Sequence, residues 1–220
     1  MDYFEKISTN PLFLKLKEIE ENNEYHDHEK TYDHLIKTFE IAKKQITADF
    51  IKNETAKKLF LEFVNTPFEN LNNGEIMLLT ALLHDIGKIL YYKDGENEFT
   101  LRHKNSDGIV SNPGHEYWGS KFVKEFVKDT ELSEKVIEKI SKIIRLHDTF
   151  GAHYFEPKLN LSIEEIMDDV KARAEGLYIE ELFNVYCDCF TAKPFEKSKN
   201  KVIEIFNQPS LYVKREYFIK

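Results

Sequence analysis

Apolar residues recur at helical spacing along most of this chain. Leu35, Phe39, Ala42 and Ile46 fall in steps of four, three and four, which predicts an amphipathic helix over about Lys30–Phe50 with His34 at the edge of its stripe. Phe13–Asn22 reads as a shorter helix, 23–29 as a polar loop, and Glu54–Asn65 as a further amphipathic helix. From about Asn73 the chain is apolar nearly all round through Ile76–Leu83, as expected of a helix enclosed by others. After Lys88 the period changes: Ile89–Tyr92 and Phe99–Leu101 flank Lys93-Asp94-Gly95-Glu96, which predicts a small β-hairpin. Helical spacing then returns. Asn112 and Pro113 open a segment carrying Phe122, Val123, Phe126 and Val127, and Val136, Ile140, Ile143 and His147 mark another over Glu131–His147. Ser162 with Glu165 forms a capping-box signature ahead of a long helical stretch to about Ala192, with a break at Gly176, and a last helix follows Pro194. The fold class expected is all-α, or mostly α.

A length of 220 residues suits a single domain, here 1–220 with a core over about 26–192 and helical extensions at both ends. No run of eighteen apolar residues occurs, and Met1–Lys6 lacks the basic and apolar blocks of a signal peptide, so a cytoplasmic protein without a membrane span is expected. Cys187 and Cys189 sit two apart on a predicted helix, where they point to different faces and fit reduced thiols. The net charge of -8 disfavours an extended nucleic-acid footprint, which needs a basic stripe. A small phosphorylated substrate needs only a local positive site.

Chemistry concentrates at His84-Asp85-Ile86-Gly87-Lys88, directly after the apolar helix. Burying an imidazole beside a carboxylate costs several kcal/mol (about 2–7 on the scale for polar groups, more for charges) unless both are paired or bind a cation, and a metal ion is the simplest partner. Asp188 interrupts another largely apolar helix and calls for a cation in the same way, although Glu181 and Asn184 on its side admit an exposed polar face.

The order His34, then His84-Asp85, then a distant Asp188 resembles the HD-domain superfamily of metal-dependent phosphohydrolases, with Ala81–Lys88 similar to that family's central motif. Gly114-His115-Glu116 and Arg145-Leu146-His147-Asp148 fall where members with two metals place two further histidines. No Gly-Tyr-Pro follows the later histidines and no Glu-Asp follows His84-Asp85, so the segment looks most like the HD module of bacterial tRNA nucleotidyltransferases and their stand-alone relatives. The resemblance implies an HD helical bundle in which Asp85 bridges two metals, His34, His84 and Asp188 hold one, and His115 and His147 hold the other. Imidazoles with carboxylates suit Mn, Fe, Co or Ni, with Mg or Zn as further options. A metal-activated hydroxide would then cleave a phosphomonoester or phosphodiester, such as that of a nucleotide. Asp85 and Lys88 are the expected catalytic residues. Lys88, four residues beyond His84, is expected to grip a phosphate oxygen, with His26, His28, Arg102 and Lys104 as further substrate contacts and His153 as a loop residue. The same ligand types fit a mixed-valent di-iron oxygenase of the HD fold, or a non-catalytic metal-dependent signalling module.

Overall fold

The computed structural model describes residues 3–23, 26–92, 103–104, 110–158, 160–191 and 196–213. Within them helices dominate and every sheet is a two-residue antiparallel pair. Helices α1 (Tyr3–Ser8) and α2 (Pro11–Lys15) lead through a 3-10 turn, Leu16–Glu18, into strand β1 (Glu20–Glu21). The single helix expected over Phe13–Asn22 is therefore corrected to a short helix, a 3-10 turn and a strand. Strand β2 (Glu29–Lys30) pairs with β1 and runs directly into α3 (Thr31–Gln45). Helix α4 (Glu54–Val64) follows, then the pair β3 (Pro67–Phe68) and β4 (Leu71–Asn72), and then α5 (Asn73–Leu83).

Helix α5 organises the molecule. The Asn72 side chain accepts the backbone N–H of Glu75, whose carboxylate accepts the N–H of Asn72, so two orphan donors are satisfied at its start. Met77 and Ala81 belong to one apolar core with Phe60, Phe183 and Phe206. Ile76, Leu79, Leu82 and Leu83 belong to a second core with Leu35, Phe126 and Ile140. A helix standing between two cores must be apolar all round, as the sequence pattern implied.

A 3-10 helix, Ile86–Tyr92, follows the His84-Asp85 turn, so the strand expected over Ile89–Tyr92 is corrected. A small hairpin does follow, but further on, as β5 (His103–Lys104) and β6 (Val110–Ser111). The turn Lys93–Glu96, the strand Phe99–Leu101 and Arg102 lie outside the described residues. Next come α6 (His115–Val127) and α7 (Glu134–Leu146), and then the short α8 (Ala152–Phe155), which places His153 in a helix and not in a loop. Helices α9 (Ile163–Arg173) and α10 (Tyr178–Asp188) are separated at Gly176, whose φ of 85° is open to glycine and strained for other residues. Helix α11 (Glu196–Phe206) packs against α10. Cys187 and Cys189 are free and buried, and burial pushes the Cys189 thiol up to about 12. Among the described residues no helix is long and apolar enough to cross a membrane.

Candidate metal centre

Three helices deliver their C-terminal ends to one place. His84 is the C-cap of α5, His147 the C-cap of α7, and Asp188 the last residue of α10. Helix C-termini carry partial negative charge and unsatisfied carbonyls, so both the dipoles and the free acceptors favour cations there. The two histidines use those carbonyls directly. His84 donates Nδ1–H to the Ala81 carbonyl at 3.0 Å, and His147 donates to that of Ile144 at 2.6 Å. His115, at the start of α6, does the same toward Asn112 at 2.7 Å. With Nδ1 carrying the hydrogen, each neutral ring turns a lone pair on Nε2 toward the centre. His34, in the first turns of α3, faces Glu29 with Nδ1 at 3.7 Å and the centre with Nε2.

The six residues singled out from the sequence meet around Asp85. Its Oδ1 lies 3.0 Å from His115 Nε2 and 3.5 Å from His147 Nε2, and those two nitrogens are 3.0 Å apart. Its Oδ2 lies 3.4 Å from His34 Nε2 and 3.5 Å from His84 Nε2, themselves 3.2 Å apart. Asp188 Oδ1 closes the second group, 3.1 Å from His34 Nε2 and 3.7 Å from His84 Nε2. Each carboxylate oxygen of Asp85 thus serves its own pair of imidazoles. Asp188 is the most open of the six, with 36% of its side chain exposed against 13% or less for the others.

These atoms are all acceptors when the rings are neutral, and acceptors crowded inside a protein repel unless a cation lies among them. The donor set accordingly fits divalent metal ions, and among the described residues three groups could hold one: His34, His84 and Asp85; Asp85, His115 and His147; and, sharing His34, the group His26, Glu29 and His34. Without metal, protons must supply the charge. Burial opposes ionisation of His34, but its contacts with Asp188 and Glu29 outweigh that and push it up to about 10. Burial likewise opposes charging of His147, and Asp85 raises it nonetheless. For His84 burial wins, and its pKa is lowered. Burial would raise Asp85, yet the Lys88 ammonium and the adjoining imidazoles hold it well below the usual carboxylate range.

Gly87 sets the approach of α6. A Cβ built there would lie 1.8 Å from the His115 carbonyl oxygen and 2.5 Å from the Gly119 nitrogen. Only a residue without a side chain lets the start of α6 come close enough for His115 to reach Asp85.

The remaining substrate-contact expectations fare differently. Lys88 is not one α-helical turn beyond His84, because the 3-10 segment intervenes; its Nζ is buried, 2.7 Å from Asp85 Oδ2 and 2.8 Å from Glu21 Oε2. The ammonium is thus enclosed between two carboxylates. His26 is buried behind His34, its Nδ1 bonded to Glu29 at 2.9 Å, and it lines a surface cavity with His28, Glu29 and Thr191. His28 is largely exposed and pairs with Glu20 at 2.8 Å. Lys104 lies on β5, and Arg102 is outside the described residues.

Sequence reasoning missed Glu21 and Glu29, because both sit in a polar stretch where a charged residue carries no signal. Glu181 and Asn184, which left open an exposed polar face beside Asp188, are both buried: Glu181 is 0% exposed. Neither oxygen of the Glu181 carboxylate has a hydrogen-bond partner among the described residues, and burial raises its pKa well above the ordinary value.

The family model described as HD domain matches residues 31–175. That stretch holds His34, His84, Asp85, His115 and His147 and stops before Asp188. No significant match to a curated protein was found. HD domains are generally metal-dependent phosphohydrolases, and this chain, matched over well over half its length and carrying the His/Asp cluster just described, belongs to the HD-domain family.

Proposed function

We propose that the protein is a phosphohydrolase that works with two divalent first-row metal ions, cleaving a phosphomonoester or phosphodiester of a small molecule such as a nucleotide. The observation that carries this reading is the division of Asp85, with Oδ1 facing His115 and His147 and Oδ2 facing His34 and His84. His34, His84, Asp188 and Asp85 would hold one ion, and His115, His147 and Asp85 the other. When bound, such ions supply Lewis acidity toward a phosphoryl oxygen and lower the pKa of water.

The chain's own contribution is order and charge. Backbone acceptors fix three of the rings, so the ligand side chains need little rearrangement to engage a cation. Two dications against two carboxylates leave a surplus of about two positive charges, because Lys88 and Glu21 offset one another. That surplus favours an anionic substrate. The likeness of His84–Lys88 and Gly114–Glu116 to the HD modules of tRNA nucleotidyltransferases supports a nucleotide-like phosphoester.

The test is hydrolysis by the purified full chain of a panel of phosphomonoesters and phosphodiesters with added Mn(II), with Asp85→Ala as control. The expected result is Mn(II)-dependent release of phosphate or opening of a diester in the wild type and none in the variant. Substrate-dependent oxygen uptake by an iron-loaded protein, with no hydrolysis, would contradict the proposal and favour an oxygenase.

A further inference from the structure

Strand β1 brings a buried carboxylate to the back of the centre. Glu21 is 1% exposed, and its Oε2 lies 2.8 Å from Lys88 Nζ while its Oε1 accepts the Thr31 hydroxyl at 3.1 Å. Lys88 is 5% exposed and reaches on to Asp85 Oδ2 at 2.7 Å. The result is a chain of carboxylate, ammonium and carboxylate that ends on the oxygen shared with His34 and His84. The hairpin holding Glu21 is tied to the same part of the fold: β1 pairs with β2, Glu21 opposite Glu29, and β2 enters α3, which carries His34. This hairpin precedes residues 31–175, the stretch the family model describes.

Lys88 alone would be a poor neighbour for a dication. Its ammonium cancels the charge of Asp85 and would repel an ion approaching Oδ2, with little water nearby to screen the repulsion. Glu21 returns the local balance to one negative charge, and Lys88 can then fix the Asp85 carboxylate by a hydrogen bond at no net electrostatic penalty to the metal. We propose that Glu21 is a positioning residue for the metal centre, acting through Lys88 to orient Asp85 and to keep its site negative. This inference rests on the metal-dependent reading given above.

Mn(II) titrated calorimetrically into the metal-free full chain tests it, with Glu21→Gln, Lys88→Met and the double variant compared with wild type and folding followed by circular dichroism. Glu21→Gln is expected to weaken Mn(II) binding about 10–100-fold, the usual effect of losing an outer partner of a ligand. The double variant, which leaves no unpaired ammonium, is expected to recover most of that loss. A general packing role for Glu21 would give no such recovery. Unchanged affinity in Glu21→Gln, or a double variant no tighter than Glu21→Gln, would overturn the proposal. Should Glu21→Gln not fold, the double variant decides: folded protein that binds Mn(II) supports the role, and folded protein that binds it 10-fold or more weakly overturns it. Wild-type protein that takes up no Mn(II) would overturn the metal reading itself and this inference with it, a result distinct from a normal wild type with an insensitive Glu21→Gln.

Discussion

His84, His115 and His147 each spend one ring nitrogen on a backbone carbonyl three residues earlier and thereby aim the other. The same scale holds a group with no hydrogen-bond partner among the described residues. Glu181 has both carboxylate oxygens buried and unbonded, and its pKa is raised by burial and then by Glu180. A carboxyl whose folded pKa lies above its unfolded value must stay protonated to remain folded, so above the unfolded pKa of about 4.5 the native state binds more protons and stability falls as pH rises. Glu181→Gln removes this titration. Thermal melts of both proteins are expected to show the wild type losing stability relative to the variant from pH 4.5 upward; parallel curves would contradict a buried, neutral Glu181. Of the six clustered residues, His84, Asp85 and Asp188 were legible as polar side chains in apolar company and His34 and His147 as histidines at the edge or end of an apolar stripe, whereas His115, in a polar stretch, was legible only through the family's ordered motif. Glu21 and Glu29 were not, since in a charged stretch nothing separates a buried carboxylate from a solvated one. Glu181 and Asn184 share a helical face with Asp188, and spacing alone does not say whether that face looks inward.

Among the elements, most of the longer helices were readable to within a few residues, because three or more turns of apolar spacing and capping signals such as Asn72 with Glu75 repeat the same message, but α3 stops at Gln45, five residues short of the Phe50 expected. The strands were not, since a two-residue strand has no period. The 3-10 segment after Asp85 was read as strand for a related reason: Ile89 and Leu90 beside two tyrosines favour extended structure locally, while packing against α6 decides otherwise. Two variants separate stability from site assembly at this scale. Asn72→Ala, far along α5 from His84, is expected to cost about 1 kcal/mol in denaturant unfolding and to leave Mn(II) affinity unchanged. Gly87→Ala is expected to cost about 1–3 kcal/mol, because its Cβ meets the backbone of His115, and also to weaken Mn(II) binding by displacing that ring. A Gly87→Ala protein with wild-type Mn(II) affinity would show that the close approach of α6 does not place His115.

For the whole molecule, the net charge of -8 contrasts with the cationic site expected once metal is bound. The fold class was legible from the sequence because nearly every long segment repeats with a helical period; the bringing together of α3, α5, α6, α7 and α10 at one point was not, except through the family's ordered motif. Metal binding to the folded chain alone should stabilise it by mass action. At a hundredfold excess over the dissociation constant the gain is about 2.7 kcal/mol, or roughly 5–10 °C in melting temperature for a chain of this size. Scanning calorimetry with Mn(II), reversed by a chelator, checks that shift, and Asp85→Ala is expected to lose it. The central claim is that Asp85 joins two metal-holding halves, and it is tested most directly by the number of ions bound. Equilibrium dialysis against Mn(II), followed by elemental analysis, is expected to find two ions per wild-type chain and one in the His115→Ala/His147→Ala variant. A single ion in the wild type, or two retained without His115 and His147, would contradict it.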